Sequence, residues 1–409
     1  MPDPATREGR YLDRALTWLA FNGRVLEEAQ DTQSPILERA RFLGIFFSNL
    51  DEFFMIRVAA IRDRIRSGVE HRTPSGLTPP EHMDAVQAAA RDLVTSGYLL
   101  WEQGMVPGLV DGGVRFVRAA ELEPGERAFV ERLFTREILP VLSPAAIDSE
   151  LPFPRLHNLT LHLAVRLGRD GEEERLAVVQ LPRSATRWIQ VSGGGRIDGQ
   201  EAAGQRFILI EEAAREHLEE LFLGYEIKES VAFRVTRDAD FATDDQEEEN
   251  LVDAVRQVLR QRLRGDPVRL EIASSASDGL VKRLMAALGL EEREVYKVSG
   301  PLDLRFLADF ARLPSLKASR ATSWPPQPVP GIPPLDAVWD AIQEKDILLF
   351  HPYETFEPVV RLVLLAAEDP SVLAIKQVLY RTSATSEFVN ALERAAENGK
   401  QVTVLVELQ

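Results

Sequence analysis

The chain has no cysteine among its 409 residues. That absence excludes disulfides, thiolate metal sites and cysteine nucleophiles together, and it fits a reducing compartment. Histidine is scarce: His71, His82, His157, His162, His217 and His351 are the whole set. None stands in HxxxH, HExxH or HxK spacing, so a zinc-hydrolase reading has no support. GxSxG, Walker A and GxGxxG motifs are also missing. No apolar run approaches the ~18–20 residues of a membrane span. The N-terminus, MPDPATREGR, lacks the apolar core of a secretory signal. Basic residues are in the minority, 48 Lys and Arg against 64 Asp and Glu, for a net charge of −16. Broad nucleic-acid binding is thereby disfavoured, since it needs a basic footprint, but a local basic site for a polyanion is not. What is present is ordinary for a globular protein: 45% apolar residues, enough for full cores, on a length suited to two to four domains. These features describe a soluble, intracellular, multidomain chain.

Periodicity divides the chain. Residues 1–118 read as an all-α domain. Ser34-Pro35 offers an N-cap residue and a first-turn proline. Leu37, Phe42, Ile45, Phe46, Leu50, Phe53, Ile56 and Ile61 then recur at mostly three- to five-residue steps. Thr78-Pro79-Pro80-Glu81 is a capping box opening a further helix. Residues 119–322 read as α+β. Leu159 to Leu167 alternate apolar and polar as a half-buried strand does, and strand-like runs follow at Leu176–Leu181, Phe207–Ile210, Val231–Val235 and Val268–Ile272. Helical stretches are expected near Glu211–Leu223, Glu249–Arg264 and Gly279–Leu288. Gly193-Gly194-Gly195 reads as a turn, and the acidic run Asp244–Glu249 as a solvated segment. Six prolines within Trp324–Pro334 mark a linker, assigned to 323–334. From 335 to 409 the pattern is βαβαβ: strand Asp346–Phe350, helix Glu357–Ala367, strand Val372–Leu379, helix Glu387–Glu397, strand Val402–Leu408. Continuous apolar strands with crossover helices imply the start of an α/β domain, a parallel sheet covered on both faces.

Ligands bind outside the carboxyl ends of such strands. His351, Arg381 and Glu407 all fall there. Arg381 offers a charged fork for phosphate oxygens, and His351 a hydrogen bond or a proton. Each alone is also what a strand end commonly carries. Lys376, inside an apolar strand, reads as a lysine whose stem is buried and whose ammonium reaches water. In the helical part, Asn49 interrupts the apolar string FFSNLDEFFMIR. Its amide matches the donor–acceptor edge of adenine, and equally suits neighbouring protein groups. Arg57, eight residues on, is placed to face a phosphate or to pair with Asp51 or Glu52.

Read together, five strings do more. SNLDEFFMIRVAAI at Ser48–Ile61, VSGPLDL at Val298–Leu304, DILLFHPYETFEPV at Asp346–Val359, VLAIKQVLYRTS at Val372–Ser383 and ENGKQVTVLVEL at Glu397–Leu408 resemble polyphosphate kinases of the first family, in that family's order. The resemblance implies reversible transfer of the terminal phosphate of ATP to polyphosphate, through a phosphohistidine and with Mg²⁺. It implies a helical N-terminal domain, an α+β head domain and C-terminal domains similar to phospholipase D. It implies a cytoplasmic homodimer, with peripheral membrane association left open. Asn49 matches the position that contacts the ATP base. Arg381 matches an arginine at the Mg²⁺–phosphate site, and a guanidinium there serves the phosphate oxygens rather than the metal. His351 matches no residue of assigned role.

The family's sequence runs on past VEL to a second arginine and a phosphorylated HxK histidine, whereas this one stops at Gln409. It therefore reads as a fragment holding the first half to two-thirds of the enzyme, inactive by itself. An inactive nucleotide-binding or assembly module is the alternative. A phospholipase-D-like hydrolase ranks lower, because its paired HxK motifs are missing.

Overall fold

A computed structural model describes residues 11–147, 153–169, 171, 173–192, 196–197, 200–201, 204–239, 265–319, 324–332, 337–379 and 387–406. The chain divides into two compact units, Met1–Ala321 and Thr322–Gln409. Among the described residues no helix is long and apolar enough to cross a membrane.

The first unit opens with a helical layer. Helix α1 (Arg14–Gln30) starts at Asp13, whose carboxylate accepts the N–H groups of Ala15 and Leu16 at 2.9 and 3.1 Å. That satisfies two of the donors a helix N-terminus leaves open. Helix α2 (Ile36–Phe53) begins one residue later than the Ser34-Pro35 pair suggested. Pro35 itself is the N-cap and makes no side-chain cap, because Ser34 is held in the preceding turn by Asp31. The long apolar repeat then passes through one π-helical turn, Phe54–Val58, before α3 (Ala59–Arg66). Helix α4 (Pro79–Leu100) carries the expected capping box, with Thr78 and Glu81 bonding each other's backbone N–H groups. Gly97 lets α4 close on α2, since a Cβ there would lie 2.9 Å from the rings of both Phe46 and Phe47.

Two main sheets follow. Strands β1 (Val114–Val117), β2 (Pro144–Ile147), β3 (Leu161–Gly168), β4 (Arg175–Gln180), β5 (Trp188–Ser192), the two-residue pair β6 (Arg196–Ile197) and β7 (Gln200–Glu201), β8 (Gln205–Leu209), β9 (Glu226–Arg237), β10 (Pro267–Ala273) and β11 (Val295–Val298) belong to this unit. The six-stranded sheet has the order β11-β10-β9-β3-β4-β2, antiparallel except for the parallel β10–β11 pair; the smaller has the order β1-β8-β5. The period of two along β3 sends Leu161, Leu163, Val165 and Leu167 into the core shared with the helical layer. Ala164, on the other face, joins Val231, Phe233, Leu270 and the helix Asp278–Leu288. Strand β3 is therefore covered on both faces, not half-buried as its alternation suggested. His162 is fully buried against Phe233, and burial pushes its imidazole down to about 4. The stretch expected as one helix over Glu211–Leu223 is two short helices, Ile210–Glu216 and Leu218–Leu221, broken at His217. Gly193–Gly195, the acidic run 244–249 and the helix expected over 249–264 lie outside the described residues.

In the second unit the described part of the proline-rich stretch, residues 324–332, is tied down by backbone hydrogen bonds. The Gln327 N–H donates to the Tyr353 carbonyl at 2.7 Å, and the Thr355 N–H donates to the Gln327 carbonyl at 2.9 Å. Asp346–Phe350 forms no strand: no ladder partner lies beside it among the described residues, and Leu348 and Phe350 are exposed. What forms is one βαβ unit, β12 (Ala374–Leu379) and β13 (Gln401–Val406) in parallel register across the helix Glu387–Glu397, with the helix Glu357–Glu368 packed beside it. Ile375, Leu379 and Val402 pack on Val363, Ala391 and Leu392. The opposite face, with Ala374, Lys376 and Val378, is open to solvent. The sheet is thus covered on one face only, and Lys376 needs no route to water.

Candidate functional site

Charged residues inside apolar strings are the raw material of the site. Arg234 sits in VAFRV of β9, and Arg269 and Glu271 in VRLEI of β10. Asp51 lies on the sheet-facing side of α2. All four are at most 2% exposed. Arg234 grips the Asp51 carboxylate with both Nη atoms, at 2.8 and 2.9 Å, and pairs with Glu271 at 2.6 Å and Asp303 at 3.2 Å. Arg269 also reaches Asp51, pairs with Glu271 at 3.0 Å, bonds the Thr236 hydroxyl and lies over the Phe54 ring at 4.2 Å. Arg305 closes the cluster on Asp51 at 3.0 Å and on Asp303. Three arginines thus face three carboxylates. Burial alone would push the Asp51 carboxyl up, and the three guanidinium groups hold it below the ordinary range instead. Asp303 is lowered in the same way, by Arg234 and Arg305 against burial. At the cluster's edge Arg187 pairs with Glu211 and donates to the Leu302 carbonyl at 2.9 Å, and burial brings its guanidinium down to about 10.

Above this neutral floor opens a cleft of about 830 Å³. Ser48 and Glu52 of α2 and Met55 of the π turn form one wall; Thr160, Leu161 and the segment Leu181–Arg187 form the other. Leu159 and Asp303, which both line it, are the non-glycine residues with left-handed backbone (φ 54° and 57°) among the described residues. Such conformations persist where surrounding structure holds them. Walls of mixed apolar and polar side chains over a charge-balanced floor, at this volume, make a binding cleft. Among the described residues that line it none is a histidine.

The sequence-derived candidates do not converge here. Asn49 is one residue from Ser48, but its side chain turns to α1. Its Nδ2 donates to Oδ1 of the fully buried Asn22 at 2.9 Å, and Asn22 in turn donates to the Phe46 carbonyl. One N–H and the carbonyl oxygen of the Asn49 amide are left for another partner. Arg57 neither joins Asn49 nor pairs with Asp51. The π turn rotates it toward a separate notch with Arg14, Arg64 and His82, and Asp51 is taken by Arg234, Arg269 and Arg305. His351 follows no strand; in an exposed loop its Nδ1 lies 3.1 Å from the Glu354 carbonyl and its ring meets the Phe356 ring edge-on. Arg381 and Glu407 lie outside the described residues. Sequence reasoning passed over Asp51 as a hub. The signal was there: an Asp, two Arg and a Glu, each inside a string too apolar to leave it in water.

Three family models match in succession: the polyphosphate kinase N-terminal domain over residues 11–117, the middle domain over 125–310, and C-terminal domain 1 over 337–409. The chain belongs to the polyphosphate kinase family. It is 41% identical over 405 residues to a polyphosphate kinase of Halalkalibacterium halodurans, covering 98% of this chain and 56% of the relative. The identity to that of Streptomyces coelicolor is also 41%, over 408 residues, covering 98% and 53%. The crystal structure of polyphosphate kinase from Porphyromonas gingivalis superposes with a TM-score of 0.77 at 28% identity, covering 97% of this chain and 56% of that one. The chain spans about half the length of the curated relatives it matches. Mg²⁺ is expected only from the resemblance, and among the described residues no group of three or more His, Asp or Glu side chains is arranged to hold a metal. The carboxylates of the buried cluster each face at least one arginine guanidinium, whose charge disfavours a cation beside them.

Proposed function

We propose that this chain supplies the nucleotide-contacting and head parts of an ATP–polyphosphate phosphotransferase. The observation that carries the reading is the match, at 41% identity, along 98% of the chain to proteins named polyphosphate kinase. In this reading Asn49 meets the adenine edge with the amide atoms that Asn22 leaves free, and Asn22 acts as its positioning residue. Arg381 binds oxygens of the transferring phosphate, where a fixed charge stabilises the loose phosphoryl transition state. Mg²⁺ would, if bound with the nucleotide, supply neutralisation of phosphate charge, and the described residues offer no group of carboxylates and histidines to hold it by themselves. The domain limits proposed are 1–118, 119–322, a linker at 323–334, and a phospholipase-D-like part from 335. A cytoplasmic homodimer that binds ATP, ADP and polyphosphate, and no nucleic acid, completes the proposal.

None of the six histidines stands in an HxK motif, so these 409 residues alone carry no acceptor of the family's kind. Incubation with γ-labelled ATP and Mg²⁺ tests this. The 409-residue chain should take up no acid-labile label, while the same chain joined to the remaining C-terminal sequence of a relative should become labelled and make polyphosphate. Label on the short chain would mean that another residue is the nucleophile; no activity in the joined protein would remove the kinase reading.

A further inference from the structure

Away from the cleft, where α1, the π turn, α3 and α4 meet, the helical layer holds a notch of about 230 Å³. Three arginines line it: Arg14 at the start of α1, Arg57 on the π turn and Arg64 on α3. Arg14 and Arg57 have no hydrogen-bond or ion-pair partner among the described residues, and Arg64 gives one Nη to the His71 carbonyl at 2.9 Å. A single carboxylate lines the notch, and it is already committed. Asp13 caps α1, accepts the Ser75 hydroxyl at 3.0 Å and meets His82 Nε2 at 3.0 Å. Burial pushes the Asp13 carboxyl up, but the Leu16 N–H, His82 and Ser75 outweigh it and keep the group below the ordinary range, ionised and occupied. Two free guanidinium groups and part of a third are therefore uncompensated, on a protein whose net charge is −16. Surface arginines on an acidic protein ordinarily find carboxylates, and these are turned instead into one concavity. The π turn is the device that does it, since its wider winding rotates Arg57 away from the α2 face.

We propose that this notch is an oxyanion site that takes one or two phosphoryl groups of an inorganic phosphate chain. Arginine forks match phosphate oxygens two at a time. The volume is below the ~300–1,000 Å³ usual for drug-sized ligands, which favours a small, dense anion over a whole nucleotide. That the ligand is a small oxyanion follows from the arginines and the volume; that it is a phosphoryl group of a polyphosphate chain rests on the proposed function. The notch then holds a stretch of the chain away from the reacting end.

Calorimetric titration of the 409-residue chain with sodium tripolyphosphate and with orthophosphate, at low salt, tests this. Tripolyphosphate should bind more tightly than orthophosphate. Arg57→Ala should weaken it by about tenfold or more, the loss of a charge-assisted bond. Arg57→Lys should fall between the two, and Arg312→Ala, an exposed arginine paired with Asp309 and lining neither the notch nor the cleft, should change nothing. Circular dichroism checks that each variant is folded. Absence of binding, or unaltered binding by both Arg57→Ala and the Arg14→Ala/Arg57→Ala double variant, would overturn the site. Equal affinity for the two anions would overturn the chain as its ligand. Because the readout is binding, a joined protein that fails to make polyphosphate would sink the kinase reading and leave the notch standing.

Discussion

Asp51→Asn keeps the shape of the side chain and removes one negative charge from the centre of the buried cluster. Arg234, Arg269 and Arg305 would then face only Glu271 and Asp303, with an amide where all three had a carboxylate. Removing one partner of a buried, hydrogen-bonded ion pair costs about 3–5 kcal/mol, chiefly because the remaining charge stays out of water. Asp51 and Arg234 are 2% and 1% exposed at the side chain, so solvent does little to relieve the loss. Urea unfolding followed by tryptophan fluorescence is a suitable assay, since Trp18 stacks on Phe53, two residues from Asp51, at a ring separation of 4.8 Å. The midpoint should fall by an amount that converts to that range. The pH dependence supplies a second arm. The folded pKa of Asp51 is depressed below its unfolded value of 3.8, so its ion pairs contribute fully above about pH 4. Their contribution is lost as pH falls toward the folded value, because the unfolded chain then binds a proton that the native one refuses. Asp51→Asn should flatten the loss of stability below pH 4. A stability change under about 1 kcal/mol at neutral pH, with an unaltered acid limb, would refute the hub role and mean that water or another carboxylate holds the arginines.

Asn49→Ala leaves the buried Asn22 Oδ1 without its donor, which should cost about 1 kcal/mol of stability, and in the joined protein it should weaken ATP binding by about 1–3 kcal/mol. Lowered stability with unchanged ATP affinity by calorimetry would make Asn49 structural only. Arg381→Lys keeps the charge and loses the bidentate fork, so phosphate transfer by the joined protein should drop while its melting temperature holds; near-normal transfer would contradict the phosphate role.

The local elements of this protein were written in its sequence, and the site was not. The capping box at Thr78–Glu81 needs four adjacent residues, so it was legible and it forms as read. The helix expected over Glu387–Glu397 forms and ends at Glu397 as its periodicity predicted, because an amphipathic face is a local property. Alternation along Leu159–Leu167 fixed a strand but not its burial. Whether the second face of β3 meets water depends on the helix Asp278–Leu288, more than a hundred residues later. The apolar run Asp346–Phe350 shows the converse, since a strand exists only if a neighbour completes its ladder. Two of the three arginine partners of Asp51, Arg234 and Arg269, lie 183 and 218 residues away, and Arg57 was turned from Asn49 by a single π turn that no residue spacing announces. Charge inside an apolar string signals that a partner must exist, because an unpaired ion cannot stay buried. Which partner it is depends on how β9 and β10 are laid against α2, and only the tertiary structure settles that.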